Sequence, residues 1–363
     1  MRSSPIFKTW LRRIFWALLV LFFATRAVWW IAENWWFAEL GYSATYAKST
    51  VARLVLFFLG FTIWAAILGG NARVALRAIR RSRAVGQLSS IAHDVSVASV
   101  EQALRTRGAQ SQAEDPDPSF SATRERRTLN ICLVLSASGG LWAASRWAQW
   151  LAFWHAQPAD ERDPVFHLDL SFHLLRLPLW EWAWNWFYCA LWLAVLVVFI
   201  LYGRAREHEF SEHRRVLSAV ALRHFCALGA GLLVWRAIGY RLDTYALLRT
   251  PHELYTGAGY IDLHWRRPLY VALALLALAC AAWLWRCRLN PAREGAARGA
   301  ALVGGSYLAA SLAFHFLVPA LAGRVIVSPR EPQLEAETLA RHIASTRRAF
   351  DLHAVKPAEP PVG

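Results

Sequence analysis

Methionine is almost missing from this chain, paired cysteines are missing altogether, and acidic residues are few; each shortage closes a class of function. Met1 is the sole methionine, so a flexible methionine-lined groove of the kind promiscuous binders use is excluded. The five cysteines, Cys132, Cys189, Cys226, Cys280 and Cys287, form no CxxC pair and keep no regular spacing. They lie in or beside apolar stretches, where free cysteine packs as a small apolar residue, so a disulfide framework is not expected. The hydrolase and phosphate-loop signatures GxSxG, HExxH and GxxxxGK are absent as well. Only 25 acidic residues face 40 basic ones, a formal charge of +15. Such a balance can signal nucleic-acid binding, but these arginines cluster at the ends of apolar runs, which points to anionic headgroups and orientation instead. Nucleic acid is therefore not an expected partner; membrane lipids are.

What the chain has in abundance is apolar sequence, 56% of its 363 residues. It comes in blocks of about 20, the length that crosses a hydrocarbon core. A soluble helix would interrupt such blocks every few residues to give itself a wet face. Seven blocks are read as spans, near residues 14–31, 51–69, 129–154, 177–202, 216–240, 268–285 and 300–321. Backbone amides in lipid must pair within their own segment, so the expected fold class is all-α, a polytopic bundle of seven transmembrane helices. The first block is too long and too rich in Trp for a signal peptide, and no small-residue cleavage site follows it.

Arginine alternates from loop to loop. Arg2, Arg12 and Arg13 with Lys8 precede the first span; Arg73, Arg77, Arg80, Arg81 and Arg83 follow the second. Arg204, Arg206, Arg214 and Arg215 follow the fourth, and Arg286, Arg288, Arg293 and Arg298 the sixth. The loops between are mixed or acidic, as at Asp160, Glu161, Asp163 and Asp169. The positive-inside bias then places the N-terminus in the cytoplasm and the C-terminus outside a cell (inner) membrane. Tryptophans at 29, 30, 35, 36, 147, 150, 154, 180, 182, 184 and 186 would form a belt at the outer interface. The domain reading is a seven-span unit over 1–321, with a cytoplasmic loop near 71–127, and an extracytoplasmic helix and tail over 322–363. Within the loop, Val97, Val100 and Leu104 make a short surface stripe, and residues 108–121 read as irregular. Leu334, Thr338, Ile343 and Ala349 alternate with charges as an amphipathic helix.

Several runs form ordered motifs. The longest is Asp163-Pro164-Val165-Phe166-His167-Leu168-Asp169, continuing to Phe172 and Leu177-Pro178. Others are Trp36-Phe37-Ala38-Glu39-Leu40-Gly41-Tyr42, Gly239-Tyr240-Arg241-Leu242-Asp243 and Gly257-Ala258-Gly259-Tyr260-Ile261-Asp262. After the last span come Pro329, Glu331, Glu335, Ile343, Thr346, Arg347, Ala349 and Leu352. Together they resemble the signature of the bacterial membrane proteins grouped as uncharacterised protein family 0182. Ser328 and Arg330 depart from the pattern, which prefers Lys and Asn there. The resemblance implies seven spans followed by an extracytoplasmic region that in the family typically runs on for hundreds of residues, whereas this chain stops at Gly363. It implies no mechanism, since the family's molecular role is unsettled.

Chemistry has few places to reside. Asp163, His167, Asp169 and His173 are all odd-numbered, so an extended segment would aim them to one face as zinc ligands. The family pattern has glycine and an aromatic residue where the two histidines stand, which favours Asp163 and Asp169 as turn and cap residues. Charged or ionisable residues inside spans are costly and often functional: Arg26, Arg146, Glu181, Arg223, His224, Arg236 and His315. Most lie near span ends, where they snorkel. Glu181 is expected to pair with Arg26, Arg146 or Arg236, and His315 to hydrogen-bond a neighbouring helix or relay a proton. Gly229, Gly231, Gly304 and Gly305 mark weak points or close approaches. No internal repeat is found. The function expected is a non-catalytic scaffold or subunit of a membrane complex, with a membrane-protein partner or self-association and no cofactor. A small-solute transporter is the alternative, and an envelope-modifying enzyme using Asp163, Asp169 or Asp262 the weakest reading.

Overall fold

The computed structural model of the chain describes residues 5–94, 118–206, 211–252, 255–291 and 295–352. Among them the only β-pairing is two isolated bridges, Arg162 with Asp169 and Pro251 with Thr256. The rest is helix and connecting loop. In chain order the helices are α1 (Pro5–Glu39), α2 (Ser43–Asp94), α3 (Pro118–Ala144), α4 (Trp147–Trp154), α5 (Leu177–Arg206) and α6 (Ser211–Ala246). They continue with α7 (Arg267–Leu289), α8 (Ala296–Leu312), α9 (Val318–Ala322), α10 (Glu331–Leu334) and α11 (Ala336–Ala349). Among the described residues five helical stretches are long and apolar enough to cross a membrane, and a sixth is if α3 and α4 count as one. The first expected span falls in α1, which is not one of these five or six.

Two expectations need correction. The stripe at 97, 100 and 104 lies outside the described residues, as do 108–117, but 118–121 belong to α3, which Pro118 opens with a φ already suited to a helix. The third span is not one rod: α3 and α4 meet at 50°. Ser145 turns its hydroxyl back onto the Trp142 carbonyl at 2.8 Å, a contact that bends helices. Arg146 then leaves helical geometry at φ −100°, ψ 16°.

Many of the helix contacts are made by small residues, while many large apolar side chains point away. Ala72, Ala75, Ala190, Ala194 and Ala277 are buried, while Phe58, Trp192, Leu196, Phe199 and Leu275 are exposed. In each candidate span only 17–28% of the most apolar window is buried inside the protein. The α2–α3 crossing is the tightest. A Cβ on Gly139 would lie 2.2 Å from the Trp64 ring, and one on Gly140 2.7 Å from the Phe57 carbonyl oxygen. Trp64, Trp142, Trp182 and Trp186 close a ring of indoles at 5.7–6.5 Å. Trp182 and Trp186 are thus core residues rather than belt; Trp29, Trp30, Trp35, Trp36, Trp154 and Trp180 are exposed, as a belt requires. Of the glycines named in the sequence, Gly231, Gly304 and Gly305 have open space where a Cβ would stand.

Among the described residues four π-helical turns interrupt the helices, at Phe172–Arg176, Asp262–Arg266, Ala313–Leu317 and Gly323–Val327. Each ends two residues before a proline: Pro178, Pro268, Pro319 and Pro329. A proline ring clashes with the carbonyl four residues back and offers it no N–H. Those carbonyls belong to Leu174, His264, His315 and Val325, the middle residue of each π turn. Widening the turn there relieves the clash and lets the helix run on.

Candidate functional site

Three segments converge at one end of the bundle: the α4–α5 loop, the α6–α7 loop and helix α11. The first is wrapped around one carboxylate. Asp163, 3% exposed, accepts the backbone N–H groups of Val165, Phe166 and Leu168 at 2.9, 2.5 and 2.8 Å. His173 Nε2 lies 3.1 Å from its other side. Burial raises the Asp163 pKa, but the backbone donors and His173 outweigh it and hold the carboxyl below the ordinary carboxylate value. Asp169 accepts the Ala159 and Ser171 N–H groups at 3.1 and 2.8 Å, and the Ser171 and Ala159 hydrogen bonds lower its pKa. The segment is therefore a folded turn, not the extended strand that a one-faced ligand set needs. Asp163 and His173 meet, while His167 sits at the turn with φ +56°, where glycine is at ease. Among the described residues no group of three or more His, Cys, Asp or Glu is placed to hold a metal ion.

The second segment is built around Asp262, 1% exposed. Its carboxylate accepts the Gly259 N–H at 3.0 Å, faces His252 Nε2 at 3.1 Å and accepts Arg266 Nη1 at 2.9 Å. Helix α11 joins this loop through Glu335. Its oxygens accept the Tyr260 N–H at 2.9 Å and the Tyr255 hydroxyl at 3.1 Å, and burial together with the Glu335 charge pushes the Tyr255 pKa up. Tyr255 stacks on His342 with ring centroids 4.4 Å apart. Gly257 lets that imidazole approach, since a Cβ there would lie 2.1 Å from it. Burial, His252 and Arg341 all depress the His342 pKa, with Glu335 opposing. Arg348 reaches Glu161 at 3.4 Å, tying α11 to the first loop. A cavity of about 190 Å³ remains where the three segments meet. The amphipathic helix expected after the last span is α11, but sequence reading missed Tyr255, His252 and the docking role of Glu335. Their partners lie up to 80 positions away, beyond any local pattern.

The intramembrane candidates separate. Arg236 pairs with Asp243 at 2.7 Å and lies over the Tyr240 ring at 4.0 Å. The Tyr240 hydroxyl lies 2.9 Å from that of Tyr307 and 3.3 Å from Ser311 Oγ. His315 stands beside this group, Nδ1 2.9 Å from the Ser311 carbonyl and its ring 5.8 and 5.6 Å from Tyr240 and Tyr270. His224 links Asn71 at 3.0 Å and Tyr202 at 3.3 Å, bridging α2, α5 and α6. Glu181 does not meet the three expected arginines. It pairs with Arg249, 68 positions on, at the same end of the bundle. Arg146 is exposed at the α3–α4 bend.

No solved structure matches the chain. It is 30% identical over 239 residues to a UPF0182 protein of Synechocystis sp., covering 63% of this chain and 23% of that one. It is 29% identical over 326 residues to a UPF0182 protein of Bradyrhizobium diazoefficiens, covering 88% and 33%. With a UPF0182 protein of Cupriavidus necator identity is 26% over 347 residues, covering 94% and 35%. The chain thus spans about a quarter to a third of the length of these curated relatives. The model of the Uncharacterised protein family (UPF0182) matches residues 10–362, across both loops, the glycine-packed helices and α11, and the chain belongs to that bacterial family.

Proposed function

We propose that this chain crosses a bacterial inner membrane seven times, N-terminus in the cytoplasm, and serves as a non-catalytic scaffold or subunit of a membrane complex. Large apolar side chains turned outward and alanines turned inward suit lipid as the solvent, where small residues let helices approach. The arginine-rich C-terminal parts of α2, α5 and α7 then face the cytoplasm, and the three converging segments face outward. The observation that carries the scaffold reading is the docking of α11. Glu335, Tyr255 and His342 fix an amphipathic helix to the loops, which presents a rigid contact surface. Several buried or half-buried polar groups are spent on their neighbours: Asp163 on its turn, Asp262 on His252 and Arg266, His224 on Asn71 and Tyr202. Extraction in mild detergent should then give a complex of fixed stoichiometry, with a second copy or another membrane protein. Glu335→Ala should release it while the bundle stays folded. A chain that stays monomeric at every concentration, and binds nothing after crosslinking in cells, would overturn the scaffold reading.

One observation favours a second reading, a transporter for a small solute. Arg236, Asp243, Tyr240 and His315 lie together within candidate spans, and the π turn at His315 interrupts its helix at that level, as broken helices do at transport sites. Liposomes holding this protein alone would then show solute flux that His315→Ala abolishes.

A further inference from the structure

We propose that the cavity between α11 and the two loops is a binding site for a phosphate group, carried either on a lipid headgroup or as free phosphate. Thr338, Arg341, His342 and Ser345 line one wall. They stand at i, i+3, i+4 and i+7, so they form a single stripe on the helix. That stripe offers a guanidinium, an imidazole and two hydroxyls, all able to donate hydrogen bonds. Among the described residues the lining has no carboxylate to compete with an anion.

Arg341 is available. Its carboxylate partner, Glu337, is 3.4 Å away and 84% exposed, a separation and exposure at which an ion pair is worth little. A guanidinium binds phosphate oxygens through two parallel N–H bonds, which a partly dry cavity strengthens. Ser345, one turn further along, can donate to a third oxygen. The facing wall is apolar, with Val165, Leu248 and Ala258, and suits the short carbon stem next to a phosphate ester. The scaffold reading needs only the outer surface of α11, so the site and the scaffold stand or fall separately.

The test uses the full chain in a neutral detergent, with dihexanoyl phosphatidate and inorganic phosphate as separate calorimetric titrants. Saturable one-to-one binding is expected, weakened about tenfold or more by Arg341→Gln, as the loss of a charged hydrogen-bonding partner predicts. Ser345→Val should weaken it several-fold. Arg347→Gln, on the exposed side of α11 and outside the cavity, should leave it unchanged, and unaltered melting curves would show that the variants are folded. Tighter binding of the phosphatidate supports a lipid headgroup as the source, and equal binding of inorganic phosphate supports the free anion. Binding of neither, or binding that Arg341→Gln and Ser345→Val leave intact in folded protein, overturns the proposal.

Discussion

Asp163 shows how much one side chain can organise. Removing its carboxylate in Asp163→Ala would strand three half-buried N–H donors, at about 1–3 kcal/mol for the unsatisfied groups. Amide exchange at Val165, Phe166 and Leu168 should therefore quicken by about tenfold or more, since 1.4 kcal/mol is a factor of ten, while the α2–α3 core stays protected. The same carboxylate sets a pH dependence. Its folded pKa lies below the ordinary value of 3.8, so the unfolded chain binds its proton first as the pH falls. Its stabilisation is complete above about pH 4 and is lost as the pH drops through the folded value. Protection of these amides, taken relative to the unstructured exchange rate at each pH, that stays constant from about pH 7 to about pH 2 would contradict this. His167 carries the opposite sign. At φ +56°, replacement by glycine removes a left-handed strain of about 1 kcal/mol, so His167→Gly should be neutral or mildly stabilising in the same assay.

Helices in this bundle touch through what is missing from their surfaces. Gly139 and Gly140 let α3 lie against Trp64 and Phe57 of α2, closer than any side chain would allow. Gly139→Ala overpacks that crossing and should lower the melting temperature in detergent, by about 1–3 kcal/mol of stability. Gly69→Ala, in the same α2 but with open space around it, should raise stability by up to about 1 kcal/mol through helix propensity alone. Two glycine-to-alanine changes moving the same way would show that the close approach is not the cause. Sequence makes some of this legible and hides the rest for a physical reason. The starts of α5 and α7 can be read from Pro178 and Pro268, and α11 from its alternating charges, because these are local rules. The π turns were readable too, since each precedes a proline, but only once one asks what happens to the carbonyl four residues back. The bend at Arg146, the Glu181–Arg249 pair and the Tyr255–Glu335 dock could not be read. They depend on which faces meet in three dimensions, and an apolar run carries no record of its neighbour. The zinc-like spacing of Asp163, His167, Asp169 and His173 fails for a related reason: parity aligns side chains only in a strand, and here the backbone turns.

At the scale of the whole molecule the direction of insertion decides what each end of the bundle can meet. The α4–α5 loop, the α6–α7 loop and α11 share one end, the arrangement that the proposed seven-span scheme requires of segments after odd-numbered crossings. Arg204 and Arg286 fall near the C-terminal ends of α5 and α7, which the proposed orientation puts on the cytoplasmic side. The labelling test for α1 is separate from that for the other helices. Among the described residues α1 meets α2 at Tyr46, whose ring stacks on Phe37 at 5.0 Å. Crossing the bilayer as a seventh span and lying along its surface put Thr9 on opposite sides. In a cysteine-free background, Gln157→Cys and Leu352→Cys should react with an impermeant maleimide in intact spheroplasts, and Arg204→Cys only after lysis. Thr9→Cys should behave like Arg204→Cys if α1 crosses from the cytoplasm. Labelling of Thr9→Cys from outside, together with Gln157→Cys, would mean α1 starts on the outer face and does not cross. Labelling of Arg204→Cys and Gln157→Cys from the same side would end the alternating scheme itself, because a single helix, α5, separates the two positions.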